Sequence, residues 1–568
     1  MKDDLILLLC GIFVSLGIKD AKISLEYPEN SDHGDFSTNA ALAYAKELKT
    51  SPKALAEKIV SGIKNSLPDY VESVETAGAG FINFKIKSKV IAEKVVEIAA
   101  GGLVKEPKSS TKKVMIEYTD PNTFKVFHIG HLMSNAIGES LSRLIEFSGS
   151  KVVRMCYPSD IGLHIAKSVW AIDKNSRDFP KDSVSIQEKT AFLGKMYVEG
   201  TKVYDADPNT KAEIDRINRV LYDKTDKNAN GIFLKGRQWS LEHFELLYKI
   251  LGTHFDEVIY ESEMAPIGLE LVRTDKNNVF EKSEGAVVFK GEKFGLHTRV
   301  FVNSQGLPTY EAKELGLNIT KFEKHPDAKM SIVITASEQN DYFKVLAKVL
   351  ALIDEKDGSK LKHIGHGMMR FADGKMSSRT GNVITADSLI SDLKEMALTK
   401  MADRKFSDSD ADLIAEQIAV AAIKYTVLRS SVGSDIVFDS IASVSFEGDS
   451  GPYLQYSAVR ANSVLEKAKD FNKNAASKIL LPEKVGLLER LLVRFPDVAI
   501  RAAQEFSPQQ VAGYLINLAG AFNAYYGTTQ IIDEKDPFSS YRLALTEAFI
   551  ATMTKGLWLL GIKVPQKM

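Results

Sequence analysis

Apolar positions along this chain follow three rhythms in turn. In the first stretch, Ser51-Pro52 supplies a helix opening and Leu55, Ile59 and Ile63 recur at four-residue steps, which predicts an amphipathic helix. "GAGFINFKI" reads as a strand, with Phe81 and Asn83 on the face opposite Ile82 and Phe84. The run "LILLLCGIFV" at residues 5–14 is too short to span a bilayer, and Asp3 and Asp4 stand where a signal peptide would be basic, so it predicts a buried first helix. Residues 1–104 thus read as a small α+β domain, closed by the polar, proline-bearing linker "VKEPKSSTKK".

The second rhythm alternates strand and helix. "KVMIEYTDPN" is a short apolar run stopped by a turn; Leu132, Ile137, Leu141, Leu144 and Ile145 then mark a helix, and "KVVRMCYPSDIG" a further strand. This is the βαβ pattern of a doubly wound parallel sheet. Polar stretches such as "DKNSRDFPKDS" and "DKTDKNANG" mark an insertion at about 171–290, after which "MSIVITASEQ" and "HIGHGMMRF" resume the pattern. The third rhythm, from about residue 400, is helical. Ser507-Pro508-Gln509-Gln510 fits a capping box, with Val511, Leu515, Leu518, Phe522 and Tyr526 on one face. The predicted fold class is multidomain α/β: a Rossmann-like catalytic domain at 113–439 between the small α+β domain and an all-α bundle at 440–568.

Composition narrows the function. With 73 basic and 74 acidic side chains in 568 residues, any polyanion is held by local basic patches, because net charge does not attract it. Cys10 and Cys156 lie far apart and outside any CxxC pair, which argues against a disulfide scaffold and a cysteine-rich zinc site and for a cytoplasmic protein.

The tetrapeptide His-Ile-Gly-His occurs twice, at 128–131 and 363–366. The first copy opens a helix after a strand, where backbone N–H groups and the helix dipole favour phosphate; its imidazoles add donors and Gly130 admits a flat base, a geometry that suits ATP. The second copy reads as strand. It leads into "GKMSSRTGN", a glycine-flanked loop whose Lys375 and Arg379 suit a leaving pyrophosphate, though such a loop alone is more often an ordinary solvated turn.

In that order, the two stretches resemble the HIGH and KMSK signatures of the class I aminoacyl-tRNA synthetases. Here the second is Lys375-Met376-Ser377-Ser378, with Ser378 in place of the last lysine and Arg379 one position on. The flanks "IEYTDPNTFKVFHIGH", "YPSDIGLH", "GPYLQYSAVRA" and "LLGIKVPQKM" resemble the arginyl-tRNA synthetase family. The resemblance implies His128, His131 and Lys375 as catalytic groups, with Lys125, Gly130, Met376 and Ser377 joining them around ATP, which brings Mg²⁺; no structural metal is implied. It implies that Glu117, Tyr310 and Glu314 face the guanidinium of L-arginine, and that Asn122 and Gln339 hold its amino and carboxylate ends. Glu314 stands where the family usually has aspartate. A buried carboxylate can accept two parallel hydrogen bonds from a guanidinium but not from an ammonium.

A monomer with no membrane partner is expected, and the resemblance further implies arginine activation that requires bound tRNA(Arg) and a C-terminal region that reads the anticodon. There Tyr525 and Tyr526 would stack on unpaired bases. Asp160, Gly162 and His164 also resemble a family motif, and plainer readings stand beside these roles: Asn122, Asp160 and Gly162 as turn formers, Tyr310, Tyr525 and Tyr526 as core aromatics, and Lys125 as a solvated loop lysine. Competing functions are a class I synthetase for lysine or glutamine, a non-catalytic tRNA-binding paralogue, and a small-molecule nucleotidyltransferase, which has no need of the helical tail.

Overall fold

The computed structural model describes the chain apart from residues 29, 103–111, 373–383, 405 and 470–478. It divides into two compact units, one made of residues 1–105, 460–496 and 517–553, the other of 106–459, 497–516 and 554–568. The divisions after residue 459 fall inside the helices Gly451–Lys467, Leu487–Gln504, Gln509–Thr528 and Ser539–Leu559.

In the first unit, β1 (Phe36–Thr38), β2 (Val71–Ala77) and β3 (Phe81–Ile86) form an antiparallel sheet in the order β1-β3-β2. The helix Pro52–Ile63 starts as predicted: Ser51 Oγ accepts from the Ala54 N–H, and Leu55, Ile59 and Ile63 are buried. The first helix, Lys2–Ser15, buries only the Leu5–Leu9–Phe13 stripe, while Leu7 is 70% exposed. An unbroken apolar run gives no period, and so conceals which face turns inward. Val485 and Val493 pack on this core, and Asp35, which accepts the Ile86 N–H at 2.8 Å, is ion-paired with Arg490.

The second unit is built on β4 (Lys113–Tyr118), β5 (Lys151–Cys156) and β6 (Glu257–Val258), with β7 (Glu281–Ser283), β8 (Ala286–Phe289) and β9 (Arg299–Val302) in a separate antiparallel sheet, followed by β10 (Ala328–Ala336) and β11 (Leu361–His366). The main sheet is parallel, in the order β11-β10-β4-β5-β6. From β4 the chain runs outward through β5 and β6, then returns to build β10 and β11 on the other side. The switch point between β4 and β10 is where ligands of such sheets bind. A short parallel pair, β12 (Met369–Phe371) with β13 (Ile436–Phe438), lies beyond.

The span expected as an insertion at about 171–290 contains β6, which joins the main sheet. Two residues are too few to show strand alternation, so the sequence could not reveal it. The body of the insertion is three helices, Ile186–Ala206, Pro208–Asp223 and Lys227–Leu251, whose starts are capped by Ser185, Asp207 and Asp226. Among the described residues no helix is long and apolar enough to cross a membrane.

Candidate active site

At the carboxyl end of β4 the backbone departs sharply from strand geometry. Thr119 (φ +81°), Asp120 (φ +43°) and Phe124 (φ +64°) all lie in the left-handed region, which is costly for side chains with a Cβ and most of all for a β-branched one. Named contacts hold them there. The Thr119 N–H donates to Ser134 Oγ (2.9 Å), Asn135 Nδ2 to Thr119 Oγ1 (3.0 Å), the Tyr157 N–H to Asp120 Oδ1 (2.7 Å) and the Phe124 N–H to Ser240 Oγ (3.0 Å). The resulting turn sets Asn122 beside Ser159 and starts the next helix at the sheet's switch point.

That helix, Ile129–Phe147, is capped by its own histidines. His128 Nδ1 accepts from the Gly130 N–H (3.1 Å), and His131 Nδ1 accepts from the His128 N–H (3.2 Å). Each ring therefore carries its proton on Nε2. The rings stack with centroids 3.8 Å apart. Burial and the Lys125 charge push His128 down to about 4, while burial, His128, Lys125 and His366 push His131 well below the usual histidine range. Near neutral pH the pair is uncharged and offers two Nε2–H donors. The expected use of helix amides is corrected in part, because the Gly130 N–H is already taken by His128. Gly130 also has a packing reason, since a Cβ there would meet the His128 ring at 3.0 Å. Behind the helix, Tyr118 Oη donates to Glu139 (2.7 Å), tying it to β4.

The second His-Ile-Gly-His is strand, as expected. His363 Nε2 lies 2.8 Å from Thr335 Oγ1 with its ring stacked on Phe343, and His366 Nδ1 is hydrogen-bonded to the Gly367 carbonyl (2.8 Å). Lys375, Met376, Ser377, Ser378 and Arg379 lie outside the described residues. The chain that follows them is anchored beside the first signature: the Ala386 N–H donates to the Phe127 carbonyl (2.7 Å), Thr385 pairs with His128, and His243 Nε2 lies 2.8 Å from Asp387 Oδ1.

Alongside is a cavity of about 350 Å³ whose lining includes Asp120, Asn122, Tyr157, His164, Glu261, Tyr310 and Lys313. Of the residues predicted for arginine, Asn122 and Tyr310 line it. Glu117 and Glu314 are buried and outside the lining, and Gln339 ends the short turn after β10, half-buried and also outside it. Glu117 is not an unpartnered carboxylate, because Lys321 Nζ lies 2.6 Å away. Glu314 is fully buried and its Oε1 has no hydrogen-bond partner; burial and the neighbouring Glu117 push its carboxyl above the usual range. Glu261 and Lys313 form a close buried ion pair. Four carboxyl groups, Glu117, Asp120, Glu261 and Glu314, thus accompany two ammonium groups, Lys313 and Lys321.

The sequence reading missed Asp120, Glu261, Lys313 and Lys321. A signal existed for the lysines: Lys313, Glu314, Asn318 and Lys321 recur at helical spacing on the buried side of the helix Tyr310–Lys324, an unusual place for charge. Asp160 is held by Arg237 (2.7 Å) and by both the N–H and the hydroxyl of Ser262 (2.8 Å each), so it braces the wall. Gly162 adopts φ +128°. In the first unit, Tyr525 packs beside Val464, Ala468, Ile531 and Leu543, whereas Tyr526 is 41% exposed with the Arg460 guanidinium 5.6 Å from its ring.

Comparison with known proteins agrees with this architecture. Residues 95–440 match the family model of the class I (R) tRNA synthetase catalytic domain, residues 9–86 the arginyl tRNA synthetase N-terminal domain and residues 454–568 the DALR anticodon binding domain. The chain belongs to the arginyl-tRNA synthetase family. It is 30% identical over 587 residues to the arginine–tRNA ligase of Borreliella afzelii, covering 100% of this chain and 99% of the relative. It is 32% identical over 546 residues to that of Treponema denticola, covering 93% and 92%. Among solved structures, the arginyl-tRNA synthetase of Thermus thermophilus shares the fold with a TM-score of 0.82 at 22% identity, each chain covered in full. In this family member the HIGH helix, the sheet switch point and the acidic cavity fall together.

Proposed function

We propose that this synthetase-family chain is an arginine–tRNA ligase. The L-arginine carboxylate attacks the α-phosphate of ATP, giving arginyl-adenylate and pyrophosphate; the terminal ribose of tRNA(Arg) then attacks the activated carbonyl and AMP leaves. The observation that carries the amino-acid assignment is the surplus of carboxyl over ammonium groups around the cavity, with Glu314 Oε1 left without a partner. A guanidinium supplies forked donors and the positive charge beside which Glu314 can ionise. A neutral glutamine side chain leaves the surplus uncompensated, and a lysine ammonium does not present two parallel donors.

Catalysis is then positioning and charge stabilisation, with no protein nucleophile. The Nε2–H donors of His128 and His131, the Lys125 ammonium and Lys375 serve the phosphates, with Met376, Ser377 and Gly130 around the nucleotide. Mg²⁺ arrives with ATP as part of that substrate. Asn122 and Gln339 hold the amino acid's ends, and Tyr310 closes on its side chain. Tyr526 stacks on an anticodon base. The enzyme works as a cytoplasmic monomer, a setting that suits the free thiols of Cys10 and Cys156.

The test is pyrophosphate–ATP exchange with each of the twenty amino acids, with and without total tRNA. Exchange with arginine in the presence of tRNA is expected. Exchange with lysine or glutamine instead overturns the pocket assignment, and none with any amino acid favours a non-catalytic tRNA-binding paralogue.

A further inference from the structure

Residues 124–126, just ahead of the signature, are gripped by the inserted helices. Phe124, fully buried, donates its N–H to Ser240 Oγ, and its ring lies so close to Gly236 that a Cβ there would approach it to 2.4 Å. Val126 abuts Gly194, where a Cβ would meet its Cγ1 at 2.9 Å. Between them, the Lys125 ammonium sits 4.6 Å from the centre of the Tyr197 ring. That is within the roughly 6 Å over which a ring face attracts a cation. Burial holds His128, His131 and His164 below the usual histidine range, and the Lys125 charge is near enough to add to the effect on each.

We propose that Tyr197 is a positioning residue for ATP binding, its ring face holding the Lys125 ammonium beside His128 and His131, where the phosphates arrive. The proposal rests on the synthetase reading above. An aromatic face suits this task for a physical reason: it fixes the direction of a flexible four-carbon stem without cancelling the charge, which a carboxylate would do. Among the described residues no carboxylate is ion-paired with Lys125. The two glycines and Ser240 set the backbone, and Tyr197 sets the side chain. The insertion thereby contributes to the nucleotide site through residues that lie 69 or more positions beyond Lys125 in the chain.

The experiment is a mutant cycle in the full-length enzyme, read by arginine-dependent pyrophosphate exchange with tRNA present, using Tyr197→Leu, Tyr197→Phe, Lys125→Met and the Leu–Met double variant. Tyr197→Leu is expected to raise KM for ATP by roughly three- to tenfold, with KM for arginine unchanged and Tyr197→Phe within about twofold of wild type. In the Lys125→Met background the leucine substitution is expected to add almost nothing. The proposal is overturned by an unchanged ATP KM in Tyr197→Leu, by equal losses in the Phe and Leu variants, or by the same loss with and without Lys125. Should the Leu variant not fold, Tyr197→Met enters the same cycle under the same criteria. A wild-type enzyme inactive with arginine overturns the synthetase reading instead, and titration with a non-hydrolysable ATP analogue then decides the role of Tyr197 separately.

Discussion

Lys321 Nζ lies 2.6 Å from Glu117 Oε2, and neither side chain is more than 3% exposed. Removing one member of a buried ion pair leaves the other charge desolvated and unpaired, at a cost of about 3–5 kcal/mol. Glu117→Gln is therefore expected to lower stability by that amount before any effect on arginine is seen, as measured by urea unfolding. An unchanged unfolding midpoint would mean that the pair is not closed in solution.

Glu314 should behave in the opposite way. Its Oε1 has no partner, and burial with the adjacent Glu117 already favours the protonated carboxyl in the free protein. Glu314→Gln then removes little that the empty fold uses, so stability should change by less than about 1 kcal/mol. Loss of a charge-assisted hydrogen bond of about 1.5–3 kcal/mol should raise KM for arginine on the order of 10- to 100-fold, with KM for ATP steady. An arginine KM equal to wild type would remove Glu314 from the guanidinium site.

The buried histidines link stability to pH. Burial and Lys125 hold His128 at about 4 and His164 at about 3, against an unfolded value near 6.5. Between those limits the unfolded chain binds more protons than the folded one, so stability rises with pH. The contribution of these two residues is complete above about pH 6.5 and is lost as pH falls toward their folded values. Urea midpoints taken at steps from pH 7 to pH 4.5 should fall, and His164→Gln should flatten the slope by up to about 1.4 kcal/mol per pH unit. An unaltered slope in that variant would show that His164 titrates normally.

What the sequence disclosed was local. The helix with Leu55, Ile59 and Ile63, the strand ending at Tyr118 and the strand nature of the second His-Ile-Gly-His all follow from periods of a few residues. The missed features depend on distant contacts or on unusual chemistry. Lys321 reaches Glu117 across 204 positions, and the grip of Gly194, Gly236 and Ser240 on the turn before His128 leaves no trace in periodicity. The left-handed backbone at Thr119 and Phe124 occurs at residues that rarely adopt it, so composition argued against it. The capping box of His128 and His131 has the spacing of the usual Ser-x-x-Glu motif but uses imidazole nitrogens, which a search for hydroxyl and carboxylate caps passes over.

Tyr525 and Tyr526 are adjacent in sequence and indistinguishable by composition, yet the helix turns them to different surroundings. Tyr525 is half-buried against an apolar cluster, and Tyr526 presents an exposed face with Arg460 beside it, itself held by Asn523 at 2.7 Å. A stacked base is worth about 1–3 kcal/mol, so Tyr526→Ala should raise KM for tRNA by roughly 5- to 100-fold in aminoacylation while leaving the melting temperature unchanged. Tyr525→Ala should do the reverse, losing about 1–3 kcal/mol of stability through the vacated contacts, with KM for tRNA close to wild type in the folded fraction. Equal effects of the two variants on tRNA would mean that the face toward the RNA is set by something other than the exposure that separates them.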